Sequence, residues 1–182
     1  MKALIIIDIQ NDYFEEGKMP LVAPEAAAQN AKKILADFRL KNLPVIIVQH
    51  IAANPEGGFF LPNTLGAEIH ASVKPLDTEK IVVKHYPNSF RETDLYEYLN
   101  KLDINDLVIC GMMTHMCIDA TTRAAKDLGY NCTVIGNACA TCDLEIFGNV
   151  TEAKDVHNSF LSALNYFYAK VTTVDQYLKE NI

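Results

Sequence analysis

Six short apolar-rich runs, most of them divided from the next by a segment of helical period, constrain this chain more than any other feature. Ala3-Leu-Ile-Ile-Ile7 is apolar at every position, as a strand covered on both faces must be. Val45-Ile-Ile-Val48, residues 80–83, Leu107-Val-Ile-Cys110, Cys132–Ile135 and Lys170–Val174 read as the second to sixth strands. Residues 24–42 read as a helix, with Pro24 in the first turn, Ala27, Ala31, Ile34, Leu35 and Phe38 on one face, and Asn42 and Pro44 as its stop. Thr93 caps a second helix that turns Leu95, Tyr98, Leu99 and Leu102 inward. His115 to Leu128, ended by Gly129, is a third, and Thr151 to Tyr168 a fourth. Strands joined through helices imply right-handed crossovers and a parallel sheet covered on both sides. The expected fold is therefore α/β, a three-layer α/β/α Rossmann-like arrangement with a parallel sheet of about six strands. A single domain over residues 1–182 fits that length. Residues 52–78 are rich in Pro and Gly and lack periodicity, which marks a lid or binding loop.

Charge and cysteine content narrow the function. A net charge of −7 without a Lys/Arg cluster argues against a nucleic-acid partner. No apolar run approaches a membrane span, so no membrane partner is expected, and the start is too briefly apolar for a signal peptide. The expected compartment is the cytoplasm, where the cysteines at 110, 117, 132, 139 and 142 stay thiols. Cys139-Ala-Thr-Cys142 has redox or metal spacing, but no second pair accompanies it, and loop packing is the plainer reading. Neither GxGxxG nor GxxxxGK[ST] occurs, so no nucleotide cofactor is implied.

Three ionisable residues sit at or soon after strand ends, where open parallel sheets bind their ligands. Asp8 follows the first strand, Lys84 the third, and Cys117 lies just beyond the fourth, in Gly111-Met-Met-Thr-His-Met-Cys117. With Thr114 as N-cap, Cys117 falls in the first helical turn, where free N–H groups lower a thiol pKa and can hold an oxyanion. Each residue also has a structural reading: Cys117 as a small buried side chain, Asp8 as a cap, Lys84 as a solvated charge. Asp12 reads as a structural capper. If the first and fourth strands are neighbours, Asp8 and Cys117 face each other. Lys84 then lies two strands away, roughly 9–10 Å, which its side chain nearly spans.

At these residues the chain resembles the isochorismatase-like cysteine hydrolases, which include nicotinamidases, N-carbamoylsarcosine amidohydrolase and related amidases. The resemblance rests on Leu4-Ile-Ile-Ile-Asp-Ile-Gln-Asn-Asp-Tyr-Phe14, Gly66-Ala-Glu-Ile-His70, Val83-Lys-His-Tyr-Pro-Asn-Ser-Phe90 and Gly111 to Ala125. It implies an Asp8–Lys84–Cys117 triad, a cis peptide at Met112–Met113 and a homo-oligomer, either dimer or tetramer. The metal-dependent nicotinamidases carry Asp-x-His after the second strand, where this chain has Gln49-His50-Ile51. No metal is expected, and His50 and His70 read as polar loop residues. Isochorismatases proper lack the nucleophilic cysteine, so Cys117 favours C–N bond hydrolysis. Asn137-Ala138 replaces the family's usual Asp-Ala, a position read as structural.

The implied mechanism is a Cys117 thioester with Asp8 as base, Lys84 as charge stabiliser, and the N–H groups of Met113 and Cys117 as oxyanion hole. The substrate is a small molecule. Phe14, Phe59, Phe60, Tyr86 and Phe90 lie in loops expected around the site, with His115 as a polar contact. Arg91 is the one nearby candidate for gripping a carboxylate, which favours a neutral amide or lactam. The competing readings are a non-catalytic binding or scaffold protein, a thiol redox protein using Cys139 and Cys142, and a metal-assisted nicotinamidase.

Overall fold

The structure is a computed structural model that describes residues 1–181. Six strands form one parallel sheet: β1 (Lys2–Ile7), β2 (Val45–His50), β3 (Lys80–Lys84), β4 (Asp106–Met112), β5 (Asn131–Ala140) and, last in the chain, a strand at Lys170–Thr172. A separate antiparallel hairpin, β6 (Leu144–Ile146) with β7 (Asn149–Thr151), precedes that last strand, which is therefore β8. The sheet order is β3-β2-β1-β4-β5-β8. β1 is central, and Ala3 to Ile7 have no solvent exposure, which is why that run carries no polar residue. Helices α1 (Pro24–Leu40) and α5 (Val174–Glu180) pack together on one face. On the other, α3 (Asp119–Asp127) packs with α4 (Ala153–Phe167), the face to which the right-handed crossover rule also assigns α2 (Leu95–Lys101). No described helix is long and apolar enough to cross a membrane.

Three local expectations need correction. The run Lys170–Val174 is not all strand: β8 stops at Thr172, and Val174 opens α5. Thr173 and Gln176 form a reciprocal capping box there, and closing two orphan donors at once outweighs the β-propensity of the Val-Thr-Thr-Val run. The fourth helix begins at Ala153 rather than Thr151, because the Asp143 carboxylate accepts the Ala153 N–H at 2.7 Å while residues 149–151 pair in the hairpin. The hairpin turns at Phe147-Gly148, both with positive φ. Thr114 is not an N-cap. It is the first residue of a five-residue π turn, Thr114–Ile118, that runs into α3, and its hydroxyl bonds the Ala140 carbonyl and His157 Nδ1 instead.

The strand order reverses between β1 and β4, which makes their carboxyl ends the natural ligand crevice. Gly111 pairs with Ile7 across that seam. A Cβ on Gly111 would lie 1.9 Å from the Ile7 carbonyl oxygen, and φ there is +132°, so only glycine fits. The Met112–Met113 peptide that follows is cis. The 52–78 segment folds over the same edge. The Asp12 carboxylate accepts from Phe60 N–H at 2.6 Å and Lys18 N–H at 3.1 Å, the structural role expected of it. Gly66 lies so close to that carboxylate that a Cβ would meet it at 2.1 Å, which explains the glycine opening Gly66–His70.

Candidate active site

Asp8 leaves β1 with φ of 53°, a left-handed conformation that aspartate tolerates better than most residues. Its N–H is held by the Val48 carbonyl at 3.0 Å, so the turn is fixed to β2 while the buried carboxylate meets Lys84 Nζ. Lys84 is the last residue of β3 and pairs in register with His50 of β2. Its side chain crosses the two-strand distance. Nζ lies 2.7 Å from Asp8 Oδ2 and donates to Cys117 Sγ at 3.3 Å. Asp8 and Lys84 have no solvent exposure, and Cys117 only 4 %. The ion pair is thus fully desolvated and held by mutual geometry.

Burial works to lower the Lys84 pKa, but the Asp8 carboxylate first, and then Cys117 Sγ, outweigh it and hold the ammonium above its usual range. The thiol departs from expectation. Burial first, then the Asp8 carboxylate, push the Cys117 pKa well up, and Lys84 only partly opposes them. The shift favours the protonated thiol over the thiolate that a helix start alone predicts. Neither oxygen of the Asp8 carboxylate accepts a hydrogen bond from any described residue, so its contact with Lys84 is an ion pair.

His50 joins this group. Its Nδ1 lies 2.8 Å from Lys84 Nζ and 3.9 Å from Asp8 Oδ2. Burial and then Lys84 depress its pKa to about 4, although Asp8 opposes the shift. The sequence reading missed it as a polar loop residue. The signal was its pairing position, level with Lys84 on the adjacent strand. Asp8, His50 and Cys117 each offer one potential metal donor, all within 4.8 Å of one another. Those donors surround the Lys84 ammonium, so an ion bound by all three would have to share its place with a buried cation. The set does not fit a metal.

The predicted substrate contacts divide. Phe60 lies 5.8 Å from the His50 ring and Phe59 packs on it at 4.9 Å. Tyr13, which the sequence reading passed over, meets Phe60 edge-on at 4.7 Å. Burial first, then the neighbouring Cys117 and Asp8, raise the Tyr13 pKa. The other four have different neighbours. Phe14 stacks on His70 at 3.8 Å, Tyr86 lies 3.6 Å under the Arg91 guanidinium, Phe90 stacks on Tyr130 at 6.1 Å, and His115 bonds Thr141 Oγ1 at 2.5 Å. Cys139 is buried on β5 with its thiol on the Ile135 carbonyl, Cys142 is half-buried, and all five cysteines are free.

His50, His70, His115 and His157 share one direction of shift: burial lowers each below the ordinary imidazole value. At pH above about 6.5 both folded and unfolded chains hold these rings neutral. Below it the unfolded chain binds protons that the folded chain refuses, so stability falls. The melting temperature is expected to drop from about pH 6.5 toward pH 4. Scanning calorimetry across that range checks it, and the slope should ease in His50→Asn, which lacks the most strongly shifted ring.

A family model described as "Isochorismatase domain" matches residues 2–176. An isochorismatase family protein of Bacillus subtilis, YddQ, is 53 % identical over 177 residues, covering 97 % of this chain and 98 % of its own. A crystal structure from Oleispira antarctica, assigned to the isochorismatase hydrolases, superposes with a TM-score of 0.94 at 51 % identity, covering 98 % of this chain and 96 % of the other. A streptothricin hydrolase of Streptomyces noursei is 29 % identical over 154 residues, covering 84 % of this chain and 54 % of its own.

Proposed function

The chain belongs to the isochorismatase family of hydrolases, and on that premise we propose that it cleaves a C–N bond of a small amide, lactam or ureido compound through a Cys117 thioester. The observation that carries this reading is the buried Lys84 ammonium, 2.7 Å from a carboxylate and 3.3 Å from a thiol at one sheet edge. Asp8 takes the Cys117 proton as sulfur attacks the carbonyl carbon. The N–H groups of Met113 and Cys117 hold the oxyanion. Asp8 returns the proton to the leaving nitrogen, the C–N bond breaks, and Asp8 then activates the water that hydrolyses the thioester. Lys84 keeps Asp8 oriented and offsets the negative charge that passes between carboxylate, sulfur and oxyanion.

The aromatic group of Tyr13, Phe59 and Phe60 suits a small flat or apolar acyl part. Arg91 is occupied on Tyr86, which favours a neutral substrate over a carboxylate. The reaction belongs in the cytoplasm, in a homo-oligomer. The test is release of ammonia or amine over a panel of amides, lactams and ureido compounds. Turnover of at least one class is expected, and silence across all three overturns the reading. Because Lys84 fills the candidate donor set, dialysis against a strong chelator is expected to leave turnover unchanged. Loss that zinc, iron or manganese restores contradicts that.

A further inference from the structure

We propose that His50 is a positioning residue for Lys84, its neutral Nδ1 accepting a proton of the ammonium and holding Nζ between the Asp8 carboxylate and Cys117 Sγ. The inference rests on the cysteine-hydrolase reading and adds a fourth member to its machinery. A lysine ammonium has three protons and no acceptor. His50 Nδ1 and Cys117 Sγ are the hydrogen-bond partners of Nζ, at 2.8 and 3.3 Å, and Asp8 Oδ2 lies 2.7 Å away as its ion-pair partner. Nδ1 therefore carries no proton, and the neutral ring holds its own on Nε2.

His50 is itself fixed from behind. Gln10 has no solvent exposure, and its amide grips both backbone groups of His50: Oε1 accepts the His50 N–H at 2.8 Å, and Nε2 donates to the His50 carbonyl at 2.8 Å. The same Nε2 donates to the Ala67 carbonyl at 2.8 Å, so the 52–78 loop and the end of β2 share one anchor. Asp8-Ile-Gln10 thus supplies the base with its first residue and seats the lysine's acceptor with its third. The groups facing the ring are Lys84, Asp8, Cys117 and His85. At neutral pH the low imidazole pKa keeps Nδ1 an acceptor.

Removing the acceptor leaves a buried N–H unpaired and frees Nζ to leave Asp8 and Cys117. The probe is iodoacetamide alkylation of Cys117, followed by peptide mass so that Cys142 is counted separately. His50→Leu is expected to slow Cys117 alkylation by about 10- to 100-fold, while His50→Asn, whose Oδ1 occupies the place of Nδ1, recovers most of the rate. Side-chain ¹⁵N spectra are expected to show the Nε2–H tautomer, with His50 protonating at about pH 4 and moving toward the ordinary value in Lys84→Met. Wild-type alkylation in folded His50→Leu, equal loss in the Asn and Leu variants, or an Nδ1–H tautomer overturns the proposal. Failure of the hydrolase reading is a different result: amide turnover that persists in Cys117→Ala.

Discussion

Cys117→Ala is expected to abolish C–N cleavage, by about 10⁴-fold or more, while the protein stays folded. The size of the effect follows from the division of labour. In the proposed reaction Asp8 and Lys84 shift protons and charge, while Sγ makes the new bond to carbon. Cys117 is almost wholly buried, so losing one sulfur atom costs stability on the order of 1–2 kcal/mol through lost contacts and a small cavity. Cys139→Ala and Cys142→Ala serve as controls. Cys139 bonds the Ile135 carbonyl and Cys142 is only half-buried, and neither contacts Lys84. Both are expected to keep turnover near wild type. Steady-state amine release with a matched thermal melt separates chemistry from folding.

The second large effect concerns the ion pair. Lys84→Met leaves the Asp8 carboxylate buried with its cation gone, which destabilises a protein by about 3–5 kcal/mol. It also removes the charge that opposes the upward shift of the thiol, so turnover is expected to fall by about 10³-fold or more. Adding Asp8→Asn neutralises the orphaned charge. The double variant is expected to regain most of the lost stability and none of the activity. Urea titration at constant m-value reports the first quantity and amine release the second. A double variant no more stable than Lys84→Met shows that the cost was packing rather than charge.

Much of this architecture was legible because the sheet is central and doubly covered. Ala3 to Ile7 need no polar face, so the run announces itself, and the residues that converge lie at or just after the ends of that strand, of β4 and of the edge strand β3. The parts that resisted are those set by partners distant in sequence. His50 reads as the end of a strand until register places it level with Lys84. Tyr13 and Phe14 are neighbours of similar chemistry, and only the turn at Asn11–Tyr13 decides that Tyr13 meets Phe60 while Phe14 meets His70. The thiol's shift went the wrong way for the same reason: local geometry argues for an anion, but burial and the Asp8 charge arrive from other strands. The helix at Val174–Glu180 had a readable mark in Thr173-x-x-Gln176, which the β-branched run hid.

The central claim is that carbon is transferred to Cys117 itself. Acid-quenching the enzyme during turnover of a cleaved amide, followed by peptide mass spectrometry, tests it most directly. The account predicts an added mass equal to the acyl group on the peptide carrying Cys117, labile to hydroxylamine, and absent from Cys117→Ala. Amine release at full rate with no acyl mass on Cys117, and with Cys117→Ala still turning over, contradicts it.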